Sequence, residues 1–157
     1  MKTYITKATI IFIISLICVG CYIYSQMSTQ MPFNPPTTVI KYNGKFIPTS
    51  LGDHNWIPKN GGSSYETEGE YTVGKNTQNF AAKSGAIIHI LIRSKPKNMK
   101  IVQILAINKY KEYKTFTGAK EYVLTLPIES GEYIFNVFAN WDTNEHNTAT
   151  IFRVKIE

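Results

Sequence analysis

Between Tyr122 and Trp141 hydrophobic side chains fall on every second position. Tyr122, Leu124 and Leu126 alternate with more polar neighbours, a Pro127 to Gly131 corner intervenes, and Tyr133, Phe135, Val137, Ala139 and Trp141 then line one face. Successive side chains of an extended chain point to opposite sides, so this period of two predicts two strands feeding one core. Ala86 to Arg93, AIIHILIR, is a continuous apolar run bounded by turn residues, which predicts a central strand buried on both faces. His89 within it is then expected to be a hydrogen-bonded core group. Lys100 to Asn108, KIVQILAIN, is expected beside it across a loop containing Pro96. The last strand, in TATIFRVKIE, alternates Phe152, Val154 and Ile156 with Arg153 and Lys155, which predicts one wet face.

Turn chemistry divides the rest. Asn43-Gly44 between two short apolar runs is a strong hairpin signal, and Pro48 confines the second run to an edge or an end. Trp56 is expected as a core anchor with its indole N–H on a loop carbonyl. From Tyr65 the chain alternates again, with Glu66, Glu68 and Glu70 on one side, and reads as an edge strand guarded by charge. Beyond the N-terminal apolar run, no segment shows a 3.6-residue apolar period of helical length. These elements predict an all-β antiparallel sandwich of about seven strands over residues 37–157.

The N-terminus differs in kind. Ala8 to Tyr24 carries no charged side chain and follows Lys2 and Lys7, so residues 1–24 are expected to be a single-pass transmembrane helix or a lipoprotein signal. Seventeen helical residues span roughly 25 Å, near the lower limit for a bilayer. Lysines before the run and no charge between Ser25 and Ile40 place the C-terminal domain extracytoplasmically at a cell membrane. Val19-Gly20-Cys21 resembles the end of a bacterial lipobox, with Cys18 where an aliphatic residue is usual, so Cys21 is a candidate for lipidation and anchorage on the outer face. Residues 25–36, polar and proline-containing, are expected to form a tether that resists helix and strand.

Charge and composition narrow the function. The 157 residues carry 17 basic and 11 acidic side chains; without Lys2 and Lys7 the balance is 15 against 11, or +4. Arg93, Lys95, Lys97, Lys100, Lys109, Lys111 and Lys114 concentrate that excess and are candidate contacts to an anionic surface, expected as two clusters at opposite ends of a strand. No nucleic-acid reader motif is present, and nucleic acid is not expected as a partner. Both cysteines lie in the apolar run, so the remainder has neither disulfide nor thiol. Nucleophilic catalysis would have to rest on His54, His89 or His146, with no G-x-S-x-G. Asp142, Glu145 and His146 form one local group of metal-ligand type, but they occupy a predicted turn where polar residues are ordinary. Thus no catalytic residue, metal or cofactor is expected.

Gly131-Glu132-Tyr133-Ile134-Phe135 resembles the tyrosine corner of immunoglobulin-like and fibronectin type III-like domains. The pattern from Gly131 to Trp141, with Pro35-Pro36, Gly44, Ile47, Gly52 and Trp56 upstream, is similar to small membrane-anchored exported bacterial, Bacillus-like, proteins carrying such a domain. The resemblance implies a structural role for Tyr133, Phe135, Trp141 and Trp56, with no active site. Together these readings predict a membrane-anchored binding or sensing module for a cell-envelope polymer or a partner protein. The alternatives are a cell-envelope hydrolase using paired carboxylates, or a structural subunit of a membrane complex.

Overall fold

The computed structural model describes residues 2–29, 34–57, 63–142 and 145–157, with side chains from residue 9 to 23 in the first stretch. The chain divides into two units, Met1–Pro32 and Phe33–Glu157.

The first unit is helix α1 (Lys2–Thr29). Its described apolar side chains, among them Ile10, Phe12, Leu16, Val19 and Ile23, are exposed around the whole circumference. Cys18 and Cys21 are free and exposed. Among the described residues, no helix is long and apolar enough to cross a membrane. The helix runs on through Ser25–Thr29, where the sequence suggests a tether. No proline or glycine interrupts those five positions, and adding residues to an existing helix is far easier than nucleating one. Residues 30–33 of the tether lie outside the described residues.

The second unit is rich in β-structure. Its strands are β1 (Thr38–Tyr42), β2 (Lys45–Phe46), β3 (Ser50–Trp56), β4 (Ser63–Tyr65), β5 (Asn79–Ala82), β6 (Ile87–Ile92), β7 (Asn98–Ala106), β8 (Lys109–Thr117), β9 (Tyr122–Thr125), β10 (Gly131–Asn140) and β11 (His146–Ile156). A short helix α2 (Glu70–Asn76) lies between β4 and β5. The smaller sheet has the order β2-β1-β6-β9; the larger runs β4-β3-β11-β10-β7-β8, with β5 also on β11. Pairing is antiparallel except for β5, which lies parallel to β11. This two-sheet architecture is compatible with an immunoglobulin-like sandwich, with eleven strands among the described residues where about seven are expected from the pattern.

Ile40, Ile88, Ile90 and Leu124 of the smaller sheet meet Met99, Ile101, Phe135, Val137, Phe152 and Val154 of the larger. Asn43 and Gly44 both take positive φ in the β1–β2 turn, as a two-residue hairpin demands. Tyr133 is half-buried, while Phe135 and Trp56 are fully buried and Trp141 nearly so. Trp56 packs edge-on against Trp141 at 5.2 Å and His146 at 4.8 Å. Trp141 donates its indole N–H to Ser94 O at 3.1 Å.

Three readings of the sequence are corrected, and a fourth holds in part. β6 is buried on one face only: Ile88 and Ile90 point inward, whereas Ile87, His89 and Leu91 are exposed. An apolar run does not distinguish a doubly covered strand from one with a greasy outer face. β7 does not pair with β6; the Ser94–Lys97 segment crosses between sheets, with Pro96 buried in the crossing. The Glu66–Glu70 alternation is not a strand, because Gly69 at φ 110° turns the chain and Glu70 opens α2. The final strand shows its wet face at Arg153 and Lys155 as the alternation implies, but loses it at Ile151, which α2 covers on the side facing away from the core.

Candidate functional site

A groove opens on the inner face of the larger sheet. Gln103 and Leu105 of β7, Lys111 and Tyr113 of β8, and Tyr133 of β10 face the Leu126–Glu129 loop across this groove of about 660 Å³. Each tyrosine hydroxyl is already committed. Tyr133 donates to Glu129 O at 3.0 Å and Tyr113 to Thr125 O at 3.1 Å. The rings are fixed from below as well, Tyr113 edge-on to Phe135 at 5.0 Å and Tyr133 stacked on it at 6.3 Å. Burial, then the neighbouring Tyr133, holds the Tyr113 phenol above its ordinary pKa. The groove therefore offers rigid ring surface and aliphatic side chains, with an amide, an ammonium and a carboxylate at its rim. Pattern reading finds Tyr133 but misses Tyr113, because a bulge between Ile101 and Val102 shifts the register of β8.

A second group lies on the outer face of the larger sheet, beside α2. Asp53 Oδ1 accepts from the Thr67 backbone N–H and hydroxyl, both at 2.7 Å. Glu70 accepts from the buried Asn136 amide at 2.5 Å. Burial, and then the charge of Asp53, pushes the Glu70 carboxyl above the usual range despite that bond. Tyr110 is raised by burial and by both carboxylates. Two acids with different surroundings are the raw material of acid–base chemistry, and also of a helix latch.

The basic residues do not gather into one site. Lys100 pairs with Glu112 at 2.8 Å, Lys114 donates to Val123 O at 2.7 Å, and Lys95 donates to Gly118 O at 3.3 Å. Lys111 reaches the groove, Lys109 sits at the β7–β8 turn, and Arg93 and Lys97 are exposed at the β6–β7 crossing. Exposed pairs of this kind contribute little to stability.

Asp142, Glu145 and His146 place ligand-type atoms within 4.8 Å of one another. Two of the three are used by the turn itself. Asp142 Oδ1 accepts from the backbone N–H of Glu145 and His146 at 2.9 and 3.0 Å, and Oδ2 bonds His146 Nδ1. Burial alone would raise the Asp142 carboxyl, but the His146 contact and the two backbone bonds outweigh it and hold the group below its usual value. Residues 143–144 of the turn lie outside the described residues.

No family model matches the chain, and no curated protein is similar to it.

Proposed function

We propose that this chain is a membrane-anchored, extracytoplasmic binding or sensing module with an immunoglobulin-like domain, engaging an envelope component or partner protein without catalysis. The observation that carries the reading is the tyrosine-floored groove, whose two hydroxyls are spent on backbone carbonyls and whose lining includes no histidine or cysteine. Such a site holds a ligand by shape and ring contact and has no obvious nucleophile. Anchorage is supported by the charge-free Ala8–Tyr24 run, whose described apolar side chains are exposed around the helix. Outward placement follows from Lys2 and Lys7, and lipidation at Cys21 is the alternative attachment. Full-length chain in detergent is passed over cell-wall and membrane fractions; retention at physiological salt is expected, and its absence counts against an envelope ligand.

The hydrolase reading would rest on Glu70 with Asp53, whose charge adds to burial in raising the Glu70 carboxyl, although neither acid lines the groove. Glu70→Gln would abolish any glycosidic or amide hydrolysis that depends on the pair, and unchanged turnover would remove them from it.

A further inference from the structure

The strand registers bring one polar line across the larger sheet. Thr117 on β8 is opposite Asn98 on β7, Asn98 opposite Asn140 on β10, Asn140 opposite Asn147 on β11, Asn147 opposite Asn55 on β3, and Asn55 opposite Ser64 on β4. Directly opposed residues point to the same side. Their chain neighbours Met99, Ala139, Trp141, His146 and Trp56 are buried inward, so the six side chains share the outer face. At about 4.8 Å between strands, five steps make a line of roughly 24 Å.

We propose that this row is a glycan-binding shelf, which takes an extended, neutral oligosaccharide lying across the strands. Four observations support that occupant over others. An amide both donates and accepts, as a sugar hydroxyl does, so a line of amides matches a line of hydroxyls. Its spacing is near the length of one residue in an extended β-linked glycan, about 5 Å, which lets successive sugars meet successive strands. None of the six side chains is charged; of the charged groups two positions along the strands, Lys100 is held by Glu112, Asp53 by Thr67 and Asp142 by His146, while Glu145 stands exposed beside Asn147. Finally, the half-buried Phe138, one outward position from Asn140, supplies an aromatic surface for the C–H face of a sugar ring.

The row is also unfinished internally. Asn147 Oδ1 accepts from the Asn55 backbone N–H at 3.2 Å, but the buried Asn140 Oδ1 has no hydrogen-bond partner. A buried acceptor without a partner is uncommon, and because this oxygen is closed to solvent the Asn140 amide has to turn outward for a ligand's donor to reach it. Helix α2 does not explain the row, because its contact at Asn136 lies four residues, about 13 Å, back along β10 from Asn140. The shelf is separate from the groove, which opens on the inner face of the same sheet.

The test uses full-length chain in a sugar-free zwitterionic detergent, titrated calorimetrically with cello- and chito-oligosaccharides of one to six residues. Affinity is expected to rise with each added sugar up to four or five. Asn98→Ala and Asn140→Ala are each expected to weaken it roughly three- to tenfold, the range of one hydrogen bond. Asn79→Ala, on β5 away from the row, should leave it unchanged. Asn98 is exposed, so its variant keeps the test valid should Asn140→Ala fold poorly. No binding up to about 10 mM, affinity that stops growing at one sugar, full binding in a folded Asn98→Ala variant, or binding of polyphosphate in place of neutral sugars would each overturn the proposal.

Discussion

The side-chain amide of Asn136 on β10 donates to the carboxylate of Glu70 in α2 at 2.5 Å, across 66 positions of sequence. This bond ties the only helix of the β-unit, among its described residues, to the outer face of the larger sheet, beside Ile104, Ile134 and Ile151. Its acceptor is a carboxylate made costly to ionise by burial and by Asp53.

Stability should accordingly depend on pH through Glu70. Its folded-state pKa lies above the unfolded value of about 4.5, so the folded state holds the proton more tightly. The stabilisation is complete below that unfolded value and is lost as pH rises through the raised folded value. After burial, the charge of Asp53 adds to the rise and the hydrogen bond from Asn136 opposes it. Glu70→Gln keeps an acceptor for Asn136 and removes the charge. At pH 7 it is expected to match or exceed the parent, by about 0.5 kcal/mol, and to lose that advantage near pH 4. Urea unfolding of both proteins at the two pH values checks this.

Gly74 lies with its backbone close against the sheet, buried under Ile134 and Ile151. A Cβ there would lie 2.3 Å from Ile134 Cγ2, a contact on a β-branched side chain that cannot swing aside. Gly74→Ala is expected to cost about 1–3 kcal/mol despite the better helix propensity of alanine. Adding Ile134→Ala to it should cost less than the sum of the two single changes, and a double-mutant cycle by denaturant unfolding measures the coupling.

The Asp142 turn predicts the opposite pH sign. Its carboxyl is held below the usual value, so its contribution is present above the unfolded pKa of about 3.8 and lost as pH falls through the folded value. Asp142→Ala leaves two backbone N–H groups and His146 Nδ1 without this acceptor, and is expected to cost about 1–2 kcal/mol at pH 7. The gap between variant and parent should shrink below pH 4, which thermal melts across that range follow.

The strand pattern is legible wherever one face is dry. Tyr133, Phe135, Val137, Ala139 and Trp141 line β10 as the alternation implies, and Asn43-Gly44 makes the turn its composition requires. β6 misleads because its outward Ile87 and Leu91 are as apolar as its inward Ile88 and Ile90. α2 is hidden because seven residues are too few to show a helical period. The candidate sites are less legible still. Gln103 and Tyr113, or Asn98, Asn140, Asn147 and Asn55, become neighbours only through pairings between distant strands.

By itself, the amino-acid order determined that most of the chain beyond the apolar leader forms strands, which face of β10 turns inward, and where the tight turn falls. Those features depend on side-chain period and on local φ preference, both of which act within a few residues. Tertiary structure alone decided which sheet each strand joined, that α2 would cover Ile151 and Asn136, and that six polar residues from six strands would stand in line. Those outcomes depend on register between segments up to about a hundred positions apart, and burial of the shared core selects that register.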